Sequence, residues 1–269
     1  MGVDTKKLRN RIKSVDSTLH LTTAMGLVAS SKIRRAMEAM SKSGEYSKMI
    51  ENVIQNLADC RECSQSPYID KKDEEKVCII VIAGDRGLAG GYNSNVFRLS
   101  RQYPQAEFVA IGKRACDIYG GEYSAEHFSF EQASALSKKL CERFTNGEIT
   151  RLGIISTEYI SMMSQEARID WILPLEKSQE KTDITGIIFE PDQLSVLNTA
   201  VPLYVTGRIV AAVRESFASE VAARRCAMDS AGKNAKQMID DLGLQYNRAR
   251  QGAITQEITE IVAGVNALS

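Results

Sequence analysis

The run GDRGLAGGYN, residues 84–93, is the densest concentration of residues suited to chemistry in this chain. Glycines between a strand and a helix leave backbone N–H groups open, and such loops bind phosphate. A phosphate loop of the NTPase kind also needs a Lys-Ser/Thr pair, and a dinucleotide loop needs GxGxxG; this run has neither. The competing reading is a tight strand-to-helix turn in which Asp85 and Asn93 make local bonds. Cys60 and Cys63 form a CxxC, but a structural zinc site wants four ligands and no second pair follows at a suitable spacing. His20 and His127 are isolated. Lys6, Lys7, Arg9, Arg11, Lys13, Lys32, Arg34, Arg35 and Lys42 crowd one early segment, and a charge run of this kind is usually a solvated face. No nucleophile–base set, general-base pair, metal cluster or P-loop emerges. The residues therefore predict no catalytic residue, no cofactor and no metal.

The elements that carry these residues are legible from periodicity. Leu8, Ile12, Val15, Leu19, Thr22, Gly26, Ala29, Ile33, Ala36 and Met40 step alternately by four and three, and Ser43, Ser47, Ile50, Ile54 and Leu57 continue the register. That 3.5-residue period is a coiled-coil seam. Its small middle, Thr22, Gly26 and Ala29, lets a partner backbone come close. After a polar connector, RECSQSPYIDKKDEEK, an α/β pattern begins. VCIIVIAGD reads as a buried strand, AEFVAIG as a second, RLGIISTEYI as a third, ARIDWILPL as a fourth and ITGIIFEP as a fifth. Helices are expected from Ser94 to Arg101, Lys113 to Tyr119 and Glu131 to Asn146. Alternation of this kind predicts a mostly parallel sheet covered on both faces.

A second long helix begins near Pro202 and shows no firm stop before Ser269, which would span roughly 100 Å at helical rise. Its seam runs through Met228, Ala231, Ala235, Met238 and Leu242, then Tyr246, Ala249 and Ala253, then Ile254, Ile258, Ile261, Val265 and Leu268. Arg224 falls on that seam, four residues before Met228, so it must be paired, reach outward or meet another subunit. Helices of this length need a partner for the apolar stripe. The fold class is therefore α/β: a long antiparallel two-helix coiled coil of the N- and C-terminal segments around a central Rossmann-like domain. The divisions are 1–60, 61–190 and 191–269. The C-terminal tip is expected to pass beyond the N-terminal helix.

Bulk composition narrows the function. Lys+Arg and Asp+Glu are both 34, so a net charge of zero gives no reason to bind nucleic acid. The longest apolar run, Val77 to Ala83, is far short of the roughly 20 residues of a membrane span. The charged N-terminus has no apolar core behind it, so it is not read as a secretory signal. The six cysteines, at 60, 63, 78, 116, 141 and 226, suit reduced thiols.

Three segments resemble the γ subunits of F-type ATP synthases: KLRNRIKSVDSTLHLTTAMGLVASSKIRRAM at 7–37, AGDRGLAGGYN at 83–93, and 218–268, which contains ITQEITEIVAG. They occur in the family's order and spacing across nearly the whole chain. Departures fall at Thr23, Gly26, Thr206 and Val265. The resemblance implies a central-stalk rotor that couples ion flow through a membrane ring to ATP synthesis or hydrolysis in a ring of α and β subunits. It implies a non-catalytic subunit, peripheral at the cytoplasmic face of a bacterial cell membrane. Its partners would be α, β, ε and the c-ring, with no nucleic acid and no direct membrane insertion. Met25, Arg224, Arg250, Gln251, Thr255, Glu257, Ile258 and Ile261 match positions at the catalytic ring or shaft. Asp85, Arg86, Gly87, Gly90, Gly91 and Asn93 match the stator-facing loop, and Tyr204 a lower-stalk contact. The basic shaft would face acidic loops of the β subunits. The alternatives are a Rossmann-like nucleotide-binding protein with a helical appendage, a coiled-coil adaptor, or a divergent γ paralogue.

Overall fold

The computed structural model describes residues 5–69, 76–176 and 189–268, with side chains to Gly264. The element order is α1 (Thr5–Ala58), a short 3₁₀ helix (Glu62–Gln65), β1 (Val77–Ile82), α2 (Tyr92–Ser100), β2 (Glu107–Ile111), α3 (Lys113–Tyr119), α4 (Phe130–Thr145), β3 (Arg151–Tyr159), β4 (Gln165–Leu173) and α5 (Gln193–Leu268). The expected strand ITGIIFEP lies largely outside the described residues. Two compact units form: Ala29–Arg224, and Met1–Val28 with Arg225–Ser269.

In the larger unit the sheet order is β2-β1-β3-β4. β1 pairs in parallel with β2 and β3, whereas β4 returns antiparallel to β3 through a short hairpin. β1 is almost wholly buried because both faces are covered. Ile80 and Ile82 point into a cluster with Ile54 and Leu57 of α1, Leu140 and Phe144 of α4, and Leu197, Val205 and Ile209 of α5. Ile79 and Val81 point the other way, to Val96 of α2 and Ala115 of α3. Helices α1 and α5 also touch each other here: a Cβ on Gly207 would lie 3.1 Å from Tyr46 and 3.5 Å from Ile50. Arg208 pairs with Glu51 at 3.0 Å.

Helix α5 starts at Gln193, earlier than the expected start near Pro202. The N–H and the hydroxyl of Ser195 both donate to the Asp192 carboxylate, at 2.8 and 2.7 Å, which caps the helix. A helix-interior proline costs about 3 kcal/mol. Burying Leu197 and Val201 completely, at about 1.5–3 kcal/mol each, offsets that. Helix α4 likewise starts one residue early, at Phe130, because Ser129 and Gln132 form a capping box. α5 also contains a window of mean hydropathy 1.4, apolar enough by length and composition to cross a membrane, where the sequence reading found none. A core helix passes the same test, and Leu197, Val201, Val205, Ile209 and Val213 are packed in the protein interior.

In the smaller unit the two helices run antiparallel. Gly26 faces Met228, and Gly232 faces Thr22 and Leu19, all at ordinary contact distances. The α1 seam residues from Leu8 to Gly26 are each at least partly buried, as are Met228, Ala231, Ala235, Leu242, Tyr246 and Ala249. Met238 departs from its expected seam position and is 44 % exposed; its neighbour Ile239 is half-buried instead. At this register Thr5 comes level with Ala249. From Arg250 to Gly264 every residue of α5 is exposed.

Candidate functional site

The glycine-rich run sits at the carboxyl end of β1 and is stapled by its own side chains. Asn93 Oδ1 accepts from the Gly84 N–H at 2.9 Å, and its Nδ2 donates to the Arg86 carbonyl at 3.3 Å. Asp85 Oδ1 accepts from the N–H groups of Lys113 and Ala125, both at 3.0 Å. Its Oδ2 accepts from the Glu126 N–H at 2.9 Å and the Ser124 hydroxyl at 2.7 Å. Asn93 thus makes the local bonds of a strand-to-helix turn, whereas Asp85, expected to do the same, reaches beyond the turn to the start of α3 and to residues 124–126. Burial pushes the Asp85 carboxyl up, but these hydrogen bonds outweigh it and hold the group below its ordinary value. Glu126 in turn forms an ion pair with Lys32 of α1 at 2.5 Å.

The sign of the Asp85 shift gives a pH prediction. A carboxyl held down in the folded state contributes its stability above the unfolded pKa, and loses it as pH falls through the folded value. Asp85→Asn is expected to cost about 2 kcal/mol at pH 7, from weakened charge-assisted hydrogen bonds. The gap between variant and parent, read from urea midpoints, narrows once pH drops below 3.8.

Above the loop lies α5. In open α/β sheets a ligand crevice opens outside the carboxyl ends of the strands where the connections diverge, here between β1 and β3. Helix α5 fills that place. The Thr157 N–H donates to Ser216 Oγ at 3.0 Å, and the Ser219 hydroxyl donates to the Thr157 carbonyl at 3.2 Å. The Tyr92 hydroxyl donates to the Ser216 carbonyl at 3.0 Å. Glu220, 3 % exposed, lies against Gly84, where a Cβ would meet its carboxylate at 2.8 Å. Glycine at 84 is what admits the carboxylate. A phosphate placed at this turn would meet a buried acid, so the nucleotide-binding reading finds no support in the geometry.

Arg224 completes the arrangement. It reaches Glu220 at 2.5 Å and donates to the carbonyls of Gly87 at 3.2 Å and Arg86 at 3.4 Å. The seam arginine is therefore paired. Burial raises the Glu220 pKa, the Arg224 guanidinium pulls it back, and Asp85 and Glu126 add to the rise. Leu88 is the only non-glycine residue with positive φ among the described residues, at 61°, and is 64 % exposed. That conformation costs a non-glycine residue about 1–2 kcal/mol. Gly90 follows at φ 58° and Gly91 precedes the first turn of α2.

Of the residues singled out from sequence, the fold brings Arg224 together with Arg86 and Gly87, a contact that spacing alone did not reveal. Met25 is half-buried on α1, one residue before Gly26. Arg250, Gln251, Thr255 and Glu257 are exposed, and Ile258 and Ile261 are 57 % and 62 % exposed. Tyr204 is 6 % exposed within the core cluster, with burial raising its hydroxyl to about 12, so its side chain has little surface to offer a partner. Burial likewise lifts the Cys63 thiol to about 11 and raises Cys60, which keeps both protonated and poor nucleophiles. Thr206 bonds back to the Pro202 carbonyl at 2.7 Å. Glu220 was missed, although its i,i+4 spacing to Arg224 is the signal for it.

A family model described as ATP synthase matches residues 4–268. The ATP synthase gamma chain of Ruminococcus albus is 40 % identical over 278 residues, covering 95 % of this chain and 96 % of its own. The ATP synthase gamma chain of Alkaliphilus metalliredigens is 36 % identical over 290 residues, covering all of both. Among solved structures, a chain of the Euglena gracilis mitochondrial ATP synthase (OSCP/F1/c-ring, rotational state 3) matches with TM-score 0.66 at 18 % identity, over 98 % of this chain and 94 % of that one. A chain of the Tetrahymena thermophila mitochondrial ATP synthase central stalk and c-ring matches with TM-score 0.58 at 18 % identity, over 78 % and 99 %. At such identities the structural likeness speaks for the fold alone.

Proposed function

The chain belongs to the ATP synthase gamma chain family, and on that premise we propose that it is the central-stalk rotor of an F-type ATP synthase, coupling ion flow through a membrane ring to ATP synthesis or hydrolysis. The observation that carries the reading is the end of α5. Among the described residues, every position from Arg250 to Gly264 is exposed, yet Ile254, Ile258 and Ile261 continue an apolar seam. A helix built this way awaits a surface supplied by another protein. A sleeve of α and β subunits supplies one.

The physical logic is asymmetry combined with stiffness. Three chemically identical catalytic sites occupy different states only if something breaks their symmetry. A paired-helix shaft has unlike faces at every angle, so turning it changes which contacts each site makes and shifts its conformational equilibrium. Ion flow supplies about 2.3 kcal/mol per elementary charge per 100 mV. The exposed basic residues of α1 suit acidic loops of β; exposed pairs worth about 0–1 kcal/mol each break readily as the shaft turns.

In this reading Met25, Arg224, Arg250, Gln251, Thr255, Glu257, Ile258 and Ile261 serve the ring and shaft, and the loop from Asp85 to Asn93 faces the stator. Residues 1–60 and 191–269 form the shaft and 61–190 its body. The chain itself is non-catalytic, ε and the c-ring are its lower partners, and it is peripheral at the cytoplasmic face of the bacterial membrane. Tyr204 contributes to the lower stalk through the interior packing around it.

Affinity purification of the tagged chain from its native membranes tests the proposal. Three copies each of α and β are expected for each copy of this chain. A monodisperse solitary protein in native extracts would defeat it.

A further inference from the structure

We propose that the groove between α1, β3, β4 and α5 in the larger unit binds a linear organic diammonium ion, whose two charged ends are received by the Ser47 hydroxyl and by the carboxylates around Glu215. The site lies within the chain and needs no partner subunit, so its test is independent of the rotor reading. The groove has a volume of about 590 Å³, in the range of small-molecule sites. Its charge does not balance, because five carboxylates line it against three cations. Arg168 is shared among Glu158 at 2.7 Å, Asp170 at 3.3 Å and Glu215 at 3.6 Å. Arg208 divides between Glu51 at 3.0 Å and Asp170 at 3.6 Å. Four carboxylates therefore share two guanidinium groups, and Glu45 and Lys48 of α1 offset each other. Burial pushes the Glu215 carboxyl up; the Tyr159 N–H and Arg168 oppose the rise, and Glu158 and Asp170 add to it.

Ser47 points to a ligand independently of the charge count. It is 4 % exposed and lines the groove, yet its hydroxyl has no hydrogen-bond partner among the described residues. Ser43, one turn earlier on α1, instead bonds back to the Ala39 carbonyl at 2.9 Å. A buried hydroxyl normally finds a partner, and an ammonium N–H is one that Ser47 can accept from. Between the polar ends, Met40, Ile154, Ala211 and Ala212 offer apolar surface to a methylene chain. Other ligand classes fit less well. Among the described residues no group of three or more His, Cys, Asp or Glu is placed to hold a metal ion. A phosphate or nucleotide would add negative charge where it is already in excess.

Calorimetric titration of the full-length chain with putrescine, at constant ionic strength, tests the site. Saturable binding of one diamine per chain is expected, with a raised thermal midpoint. Butylamine has the same carbon chain and a single charge, and is expected to bind at least about tenfold more weakly. Ser47→Ala and Glu215→Gln are each expected to weaken putrescine by about fivefold or more. Glu260→Gln, which alters an exposed acid of α5 outside the groove, is expected to bind like the parent. Ser47→Ala removes no hydrogen bond within the chain, so its thermal midpoint without diamine is expected to hold. Weakened binding with that midpoint intact separates a ligand contact from a structural role. Parent-like affinity of both groove variants overturns the proposal. So does equal binding of butylamine, which would reduce the effect to ionic screening, and so does displacement of putrescine by an equivalent of magnesium chloride, which would make the groove a metal site. Absence of saturable binding by the parent chain overturns this proposal and leaves the rotor reading standing.

Discussion

Arg224→Ala is expected to lower the stability of the chain by about 3–5 kcal/mol, because it strands the buried Glu220 carboxylate without its counter-charge. For a unit of this size that is a fall of about 10 °C in thermal midpoint. The two side chains are 14 % and 4 % exposed, so solvent screens little of the loss. The pH dependence is diagnostic. Burial already raises the Glu220 pKa, and removing the guanidinium that opposes the rise pushes it further. A carboxyl raised in the folded state favours folding below its unfolded value and loses that contribution as pH climbs through the folded one. The deficit of Arg224→Ala therefore deepens from pH 5 to pH 8. Adding Glu220→Gln removes the stranded charge and is expected to recover more than half of the stability at pH 8, measured by urea denaturation. No recovery in the double variant would mean that Arg224 acts through its bonds to the Arg86 and Gly87 carbonyls and not through the ion pair.

The α1 seam, four of the five expected strands and the antiparallel pairing of the two long helices were legible, the seam and strands because they follow from periodicity, which a single sequence displays directly. Every α1 position on the 3.5-residue register is at least partly buried, and α3 falls where its residues predicted. What was not legible depended on tertiary compensation. Pro202 reads as a helix start because proline breaks helices, but Asp192 caps an earlier one and the core burial of Leu197 and Val201 carries the helix through. β4 reads like its parallel neighbours, and only the short hairpin at 160–164 makes it antiparallel. In the site, Asn93 was identified as a local staple because its type acts over short range, whereas Asp85, expected to do the same, bonds to backbone 28 to 41 residues along the chain. The meeting of Arg224 with the loop spans more than a hundred residues of sequence and has no local signature. Glu220 stands in an alanine-rich stretch where a helix-surface acid would look the same.

The same distinction between what the chain does alone and what it does in company gives the sharpest test of the exposed end of α5. Ile258→Asp with Ile261→Asp is expected to leave the isolated chain unchanged, within about 0.5 kcal/mol, because both side chains are already more than half exposed. In the assembled enzyme the prediction reverses. Each isoleucine buried in a sleeve is worth about 1.5–3 kcal/mol, and each aspartate in its place brings a charge into an apolar contact. The double variant is therefore expected to bind the α–β ring about a hundredfold more weakly or worse, and to lose ATP-driven ion pumping in membrane vesicles. Both readouts are needed, because a helix end damaged in itself would lower stability and binding together. If the thermal midpoint holds while pumping collapses, the seam is unfinished in the chain and completed by the ring. If pumping is unchanged, the exposed isoleucines have no sleeve around them, and the shaft does not enter the ring by this helix.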